Sequence, residues 1–325
     1  MFRAGPSRSS HIAEVDRPTF LTRAHGRVYG VSEVGAGRVF QIGEAPPGAT
    51  SPGTLSIADP QGRPVEDGLA GEPMPSGGAH PCHIAASPDE QWLYVAHYSD
   101  GLVRAIQLES DGHMGTTVDL THAGHGVDPQ RQTGPHAHFC TVVGHELVIA
   151  DLGTDSLRVH QLDGGRPDTA AHVVDMPAGS GPRHIATSGS HLYVAGELDG
   201  TITVVDHTTW QVVDQVPAAT VKGSHHLSHI EVIEGWVIVG VRVANTLSLL
   251  TPQLTIAQQV PTTSWPRHFA YARTETHEGL IVAGERSNEL VHHPIHWADG
   301  ELRLGEVQDR LGIPTPMFVG VEDRF

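Results

Sequence analysis

At 325 residues the chain could make two average domains or one closed ring of β repeats, and its 38% apolar content with 37 glycines supports a packed core rather than disorder. Twenty Lys and Arg stand against 37 Asp and Glu, a net charge of −17 that argues against a nucleic-acid binder and obliges any anionic ligand to be held by local arginines. Lys222 is the sole lysine, which nearly excludes Schiff-base chemistry, and Cys82 and Cys140 are too few for a disulfide framework or a thiolate zinc site, which suits a reducing cytosol.

The first fifteen residues, MFRAGPSRSSHIAEV, hold no apolar core of a signal peptide, and nowhere do eighteen apolar residues run together. A cytoplasmic protein that neither spans a membrane nor binds one is therefore expected. From Pro18 the chain reads PTFLTRAHGRVYGVSEVGAGRVFQI, a series of short strands. Residues 43–78, rich in Pro, Gly and acid, read as the outer strand of one unit plus a surface excursion. The same order of Pro/His punctuation, apolar strand, turn and VYVA-like strand then returns from His80 (HPCHIAASPDEQWLYVAHYSDG) and from Pro135 (PHAHFCTVVGHELVIADLGTDSLRV). It returns again from Pro182 (PRHIATSGSHLYVAGELDGTITVVDH), Ser228 (SHIEVIEGWVIVGVRVANTLSLL) and Pro266 (PRHFAYARTETHEGLIVAGERSNEL), and opens a seventh time at Pro316 (PMFVGVEDRF).

Intervals of 38 to 63 residues bracket the size of a propeller blade. Runs of Val, Ile, Leu and Tyr bounded by Gly, Asp, Ser and Pro mark short antiparallel strands, and radial stacking both covers their faces and protects their edges. The expectation is one all-β domain over residues 1–325, a seven-bladed β-propeller. Its closing blade would draw on residues 1–15 and 315–325, which leaves it thin or incomplete unless the true start lies upstream of Met1.

In such a fold the first strand of each blade lines the channel, so equivalent positions form rings at one mouth. The position after each opening Pro gives Cys82 with His83, His136 with His138, Arg183 with His184, His229, and Arg267 with His268. The turn after the VYVA-like strand gives a second ring: Glu33, His97 with Tyr98, Asp151, Glu197, Arg242 and Glu285. Arg and His are costly in an inner strand without partners or water, so their recurrence points to a pocket for an anionic, oxygen-rich small molecule. The pairs His136/His138 and the run His225, His226, His229 lack an acidic third ligand, and no metal is expected.

The segments AHPCHIAASPDEQWLYVAHYSDG, RQTGPHAHFC, ADLGTDSLRV, GSGPRHIA, GELDGTITV and PRHFA resemble signature segments of the bacterial lactonase family, which contains propeller-type 6-phosphogluconolactonases and fungal carboxy-muconate cyclases. The resemblance runs from about Arg17 to Phe325 and implies a seven-bladed fold, no obligate metal or other cofactor, and a lactone site at one end of the channel. It assigns catalysis to His138, Arg183, Glu197 and Arg267. Relatives often carry Asn where this chain has His97, Gly196 and Gly284.

Lactone hydrolysis needs an activated water and a cationic or donor cluster where the oxyanion develops. Glu197 and His138 are both candidate bases. A carboxylate beside two arginines has a lowered pKa and is the weaker base, which favours His138, with Glu197 orienting it or the water. Arg183 and Arg267 would hold the carbonyl oxygen, a carboxylate or a phosphate. His83, His136, His184 and His268 are expected to contact substrate, and Arg242 and Arg286 are the nominees for a 6-phosphate. A lactone-forming cyclase and a non-catalytic binding platform are the competing readings.

Overall fold

The structure, a computed structural model, describes residues 15–44, 55–58, 64–69, 72–220, 226–273 and 278–320. These residues form six antiparallel sheets of four to six strands, built mostly from strands consecutive in the chain. In blade 2 the strands run Pro81–Ala86, Trp92–His97, Val103–Leu108 and Met114–Leu120. Alternation decides which blade each residue faces: Leu93 and Val95 pack with Val31 and Val39 of blade 1, whereas Tyr94 and Ala96 pack with Leu147 and Ile149 of blade 3. The core is therefore a set of layers between blades. Polar tips of the layer residues donate across the same seams: Tyr29 to the Gly112 carbonyl, and Trp92 and Tyr94 to those of Gly164 and Gly165.

The excursion at 43–78 contains a hairpin, Leu55–Ala58 with Pro64–Leu69, that pairs with the far end of the strand Arg38–Glu44, while Met74–Pro75 pairs with its near end. Residues 45–54, 59–63 and 70–71 of that segment lie outside the described residues, as do most of the residues assigned to the closing blade, 1–14 and 321–325.

The architecture is a seven-bladed β-propeller, and its inner edge is built by one repeated device. The residue that precedes the opening of each repeat is left-handed in six of the seven: Arg17 (φ 46), His80 (55), Gly181 (60), His226 (48), Trp265 (58) and Thr315 (44). His136 takes this place in the third. Five of the six left-handed residues carry a Cβ, a strain of about 1–2 kcal/mol each. A backbone bond recurs there in all six sheets: Glu33, Tyr98, Leu152, Glu197, Arg242 and Glu285 donate their N–H to the carbonyls of Arg17, His80, His136, Gly181, His226 and Trp265. Immediately afterwards every described inner strand carries a β-bulge, between Pro18 and Phe20, Pro81 and His83, Ala137 and Phe139, Pro182 and Ile185, Leu227 and Ile230, and Pro266 and His268. The bulge inserts one extra residue and so turns two successive side chains toward the axis.

The second of those residues forms a collar. Phe20, His83, Phe139, His184, His229, His268 and Phe318 touch in cyclic order, with ring centroids 4.2, 4.0, 4.7, 5.2, 3.9, 4.5 and 4.4 Å apart. One ring comes from each repeat, so Phe318 closes the circle between His268 and Phe20. His184 reaches across to Phe20, His83 and His268, and its Nδ1 lies 2.9 Å from Nδ1 of His229. Burial first, then the neighbouring His229 and Arg183, hold His83 and His268 well below the ordinary histidine pKa; for His184 the order is burial, Arg183, His229. All three are neutral in the folded protein.

Acid should therefore open the propeller before the carboxylates titrate. An unfolded histidine takes up its proton near pH 6.5, the folded collar refuses it, and stability is complete above that pH and falls as the pH drops below it. Thermal unfolding between pH 7.5 and 5 should show a falling Tm, and His268→Phe should shrink the fall; a Tm flat across that range in the wild type contradicts the collar.

Candidate active site

The first of the two axial residues in each of the six sheets makes the layer above the collar: Thr19, Cys82, His138, Arg183, Ser228 and Arg267. Register puts this layer at the end of the channel where the turn residues Glu33, Tyr98, Glu197, Arg242 and Glu285 emerge. Four members staple their blade to the next one. Thr19 donates to the Pro81 carbonyl (3.3 Å), the Cys82 thiol to that of Ala137 (3.5 Å), Arg183 to that of Ser228 (2.9 Å) and Ser228 to that of Pro266 (2.6 Å). His138 and Arg267 make no such staple among the described residues. His138 Nδ1 is buried without a hydrogen-bond partner there.

Glu197 is the centre of the cationic half. It follows Gly196, where a Cβ would sit 2.4 Å from Asp199 Oδ1 and 3.0 Å from the Ser180 carbonyl, so only glycine fits. Its Oε2 lies 2.6 Å from Arg242 Nη2 and 2.9 Å from Arg183 Nε, and its Oε1 lies 2.8 Å from Arg131 Nη2 and 3.8 Å from His226 Nδ1. Burial alone would raise this carboxyl, but Arg242, the His226 hydrogen bond and Arg183 outweigh it and hold it well below the usual carboxylate range. Burial, reinforced by Arg242, pushes Arg183 down to about 9, so it stays charged at neutral pH. Three guanidinium groups around one carboxylate leave an excess of positive charge at the mouth of an acidic protein.

The other half is acidic. Arg267 sits between Glu33 and Glu285, with Nη2 3.4 Å from Glu33 Oε2 and Nη1 3.4 Å from Glu285 Oε2. Beside it the Arg286 guanidinium lies over the Trp265 ring at 3.4 Å, and Arg242 lies 5.3 Å from the same ring.

The fold brings His138, Arg183, Glu197 and Arg267 to one mouth, close enough that Arg183, Glu197 and Arg267 all act on the His138 imidazole. Burial first, then Arg183, hold His138 well below the ordinary histidine pKa. Other positions differ from the sequence expectation. His83, His184 and His268 are not at the rim: the bulge sends them one layer down into the collar, 2%, 2% and 5% exposed. His136 is at the rim, stacked on Tyr98 at 4.7 Å and 13°. Arg242 is spent on Glu197 and on the carbonyls of His226 and Leu227, which leaves Arg286 as the solvent-exposed cation of that pair. His97 and Asp151 turn away from the mouth. His97 bonds to Ser76 Oγ and the Leu102 carbonyl, and Asp151 accepts from the N–H groups of His136 and Gly153.

Arg131 was missed. It lies in the loop between blades 2 and 3, which has no counterpart in other repeats, and the sole signal was its place in RQTGPHAHFC. With a side chain 34% exposed it is the most accessible cation on Glu197, and it also donates to the Tyr98 hydroxyl. Among the described residues no three His, Cys, Asp or Glu groups converge as metal ligands, and no helix is long and apolar enough to cross a membrane; His225 lies outside those residues. Cys82 and Cys140 are free and buried.

The profile of the family described as "Lactonase, 7-bladed beta-propeller" matches residues 7–321. A 6-phosphogluconolactonase of Bacillus subtilis is 27% identical over 262 residues, 74% of this chain and 73% of that protein. A periplasmic gluconolactonase of Pseudomonas aeruginosa superposes with a TM-score of 0.77 over 92% of this chain and 86% of its own at 22% identity. A Lactobacillus plantarum protein does so with a TM-score of 0.77 over 94% and 87% at 24% identity.

Because a buried charge left alone costs more than its pair contributes, Glu197→Gln should lose about 3–5 kcal/mol of stability. Arg131→Ala, removing a partly solvated partner, should lose about 1 kcal/mol or less. Urea unfolding at pH 7.5 measures both, and equal losses would contradict the arrangement.

Proposed function

The chain belongs to the seven-bladed β-propeller lactonase family, and on that premise we propose that it hydrolyses a sugar lactone, 6-phosphogluconolactone or a related gluconolactone, at the mouth of its channel. The observation that carries the reading is the pairing of His138, with an uncommitted Nδ1, with the positive excess around Glu197.

In the reaction a water oxygen attacks the lactone carbonyl, the ring C–O bond breaks, and an aldonic acid forms that ionises at neutral pH. His138 is neutral because burial and Arg183 disfavour its protonated form. Its neutral imidazole takes the water proton and returns it to the departing ring oxygen. Arg131, the most exposed of the cations on Glu197, receives the negative charge that develops on the carbonyl oxygen, while buried Arg183 supplies field from beneath. Glu197 stays ionised throughout, a fixed anion that keeps three arginines from repelling one another rather than a base. Glu33 and Glu285, partly exposed on the other side, accept hydrogen bonds from sugar hydroxyls. Arg286, exposed and braced on Trp265, is the group nearest in kind to a phosphate ligand. Support for the sugar lactone comes from the 6-phosphogluconolactonase and gluconolactonase relatives and from this division of charge.

A panel of sugar lactones assayed at neutral pH, with spontaneous hydrolysis subtracted, tests the proposal. The wild type should exceed the background on at least one gluconolactone, and His138→Ala and Arg131→Ala should each lower kcat/KM by on the order of 10². No hydrolysis, or full activity in both variants, overturns it. The lowered His138 pKa also sets the pH profile. The base remains unprotonated below pH 6.5, so kcat/KM should hold between pH 7.5 and 6.5 and decline only at lower pH; a decline centred at 7 or above would assign the proton transfer elsewhere.

A further inference from the structure

The segments RQTG and DLGTD carry a second network that touches no candidate substrate atom. Asp155, left-handed (φ 47) at the end of the short turn Leu152–Thr154 and only 7% exposed, accepts three hydrogen bonds. Its Oδ2 receives the N–H of Gly179 (2.6 Å), and its Oδ1 receives both the N–H of Gly181 (2.8 Å) and Nε2 of Gln132 (2.6 Å). Gln132, 1% exposed, also donates to the Leu152 carbonyl (2.9 Å) and accepts from the Asp128 N–H (2.9 Å). Gly126 adds to the fit, because a Cβ there would lie 2.4 Å from the Gln132 side chain.

A single carboxylate oxygen thus ties together two loops that approach the mouth from different blades. Gln132 follows Arg131 directly in the chain. Gly181 stands two residues before Arg183, and its carbonyl accepts the Glu197 N–H at 2.9 Å. Each of the three charged groups is reached from Asp155 Oδ1 by one hydrogen bond and one or two residues of chain, or by one further backbone bond.

We propose that Asp155 and Gln132 form a latch that sets the separation of Arg131 and Arg183 across Glu197, and that both are positioning residues for the site. This rests on the hydrolytic reading for its kinetic consequence but not for its structural one. An error of about 1 Å in where a charge stabilises an oxyanion is enough to cost a large factor in rate, so the latch acts on turnover without touching the lactone.

The test is Asp155→Ala, Asp155→Asn, Gln132→Ala and the Gln132→Ala/Asp155→Ala pair, with Asp206→Ala as control because that carboxylate also binds a turn N–H group but lies half-exposed on an outer hairpin. Crystal structures of the variants should show the 2.8 Å contact between Arg131 and Glu197 opened while the six sheets superpose. In a lactone-hydrolysing protein, Asp155→Ala should lower kcat/KM at least tenfold. Asp155→Asn, which keeps an oxygen for Gln132 and Gly181, should recover most of that loss. The double variant should fall no further than Asp155→Ala, and Asp206→Ala should match the wild type. Arg131 and Arg183 unmoved on Glu197 in the variant crystals overturn the latch, as do unchanged kinetics or additive losses. Should the wild type hydrolyse no lactone, the hydrolytic reading fails by itself and the crystallographic comparison still decides the latch. Should Asp155→Ala not fold, Gln132→Ala and Asp155→Asn carry the same comparison.

Discussion

The left-handed residue and bulge at the start of each inner strand are the constraint on which the rest of this molecule depends. A regular strand would send every second residue to the axis and bury its neighbour between blades. The extra residue gives each repeat two consecutive axial side chains instead, separated in depth rather than in direction. One layer becomes the collar of rings that closes the channel; the layer above it becomes either staple or functional group. Strain at five non-glycine left-handed residues is set against the recurring backbone bond from the turn to the same residue, worth about 0.5–1.5 kcal/mol net apiece.

Division of the mouth layer explains how one ring serves both stability and chemistry. Thr19, Cys82 and Ser228 spend their polar atoms on neighbouring backbone, and Arg183 divides its own between the next blade's backbone and Glu197. His138 and Arg267 do not, and Arg267 acts on the His138 imidazole. The collar beneath supplies a dry, neutral floor. Burial strips His83, His184 and His268 of charge, so the cations around Glu197 meet little competition from below. A chain of net charge −17 thereby holds a positive patch where an anion-forming reaction would need one.

Much of this was legible from repeats. PHAH, GPRH and PRHF placed His138, Arg183 and Arg267 at equivalent offsets, and GEL placed Glu197 in the facing turn, because covalent spacing is all that ring membership requires. Depth was not legible. A bulge leaves no mark on apolar/polar alternation, so His83, His184 and His268 read as neighbours of Arg183 at the rim when they lie one layer lower. The same blindness to depth put His97 in a ring beside Tyr98, its true member, and put Asp151 where Leu152 stands. Arg131 escaped altogether: a residue in an unrepeated loop has nothing to align with, and its role exists only through a contact between blades.

The most direct measurement is a crystal structure of the protein with an aldonate, gluconate or 6-phosphogluconate, the product that the hydrolytic reading would release. The account predicts the aldonate carboxylate in the mouth layer, within hydrogen-bond distance of Arg131 and beside His138, with its hydroxyls toward Glu33 and Glu285. An aldonate bound at the opposite end of the channel or on the blade surfaces, with the Glu197 cluster untouched at saturating concentration, would contradict it.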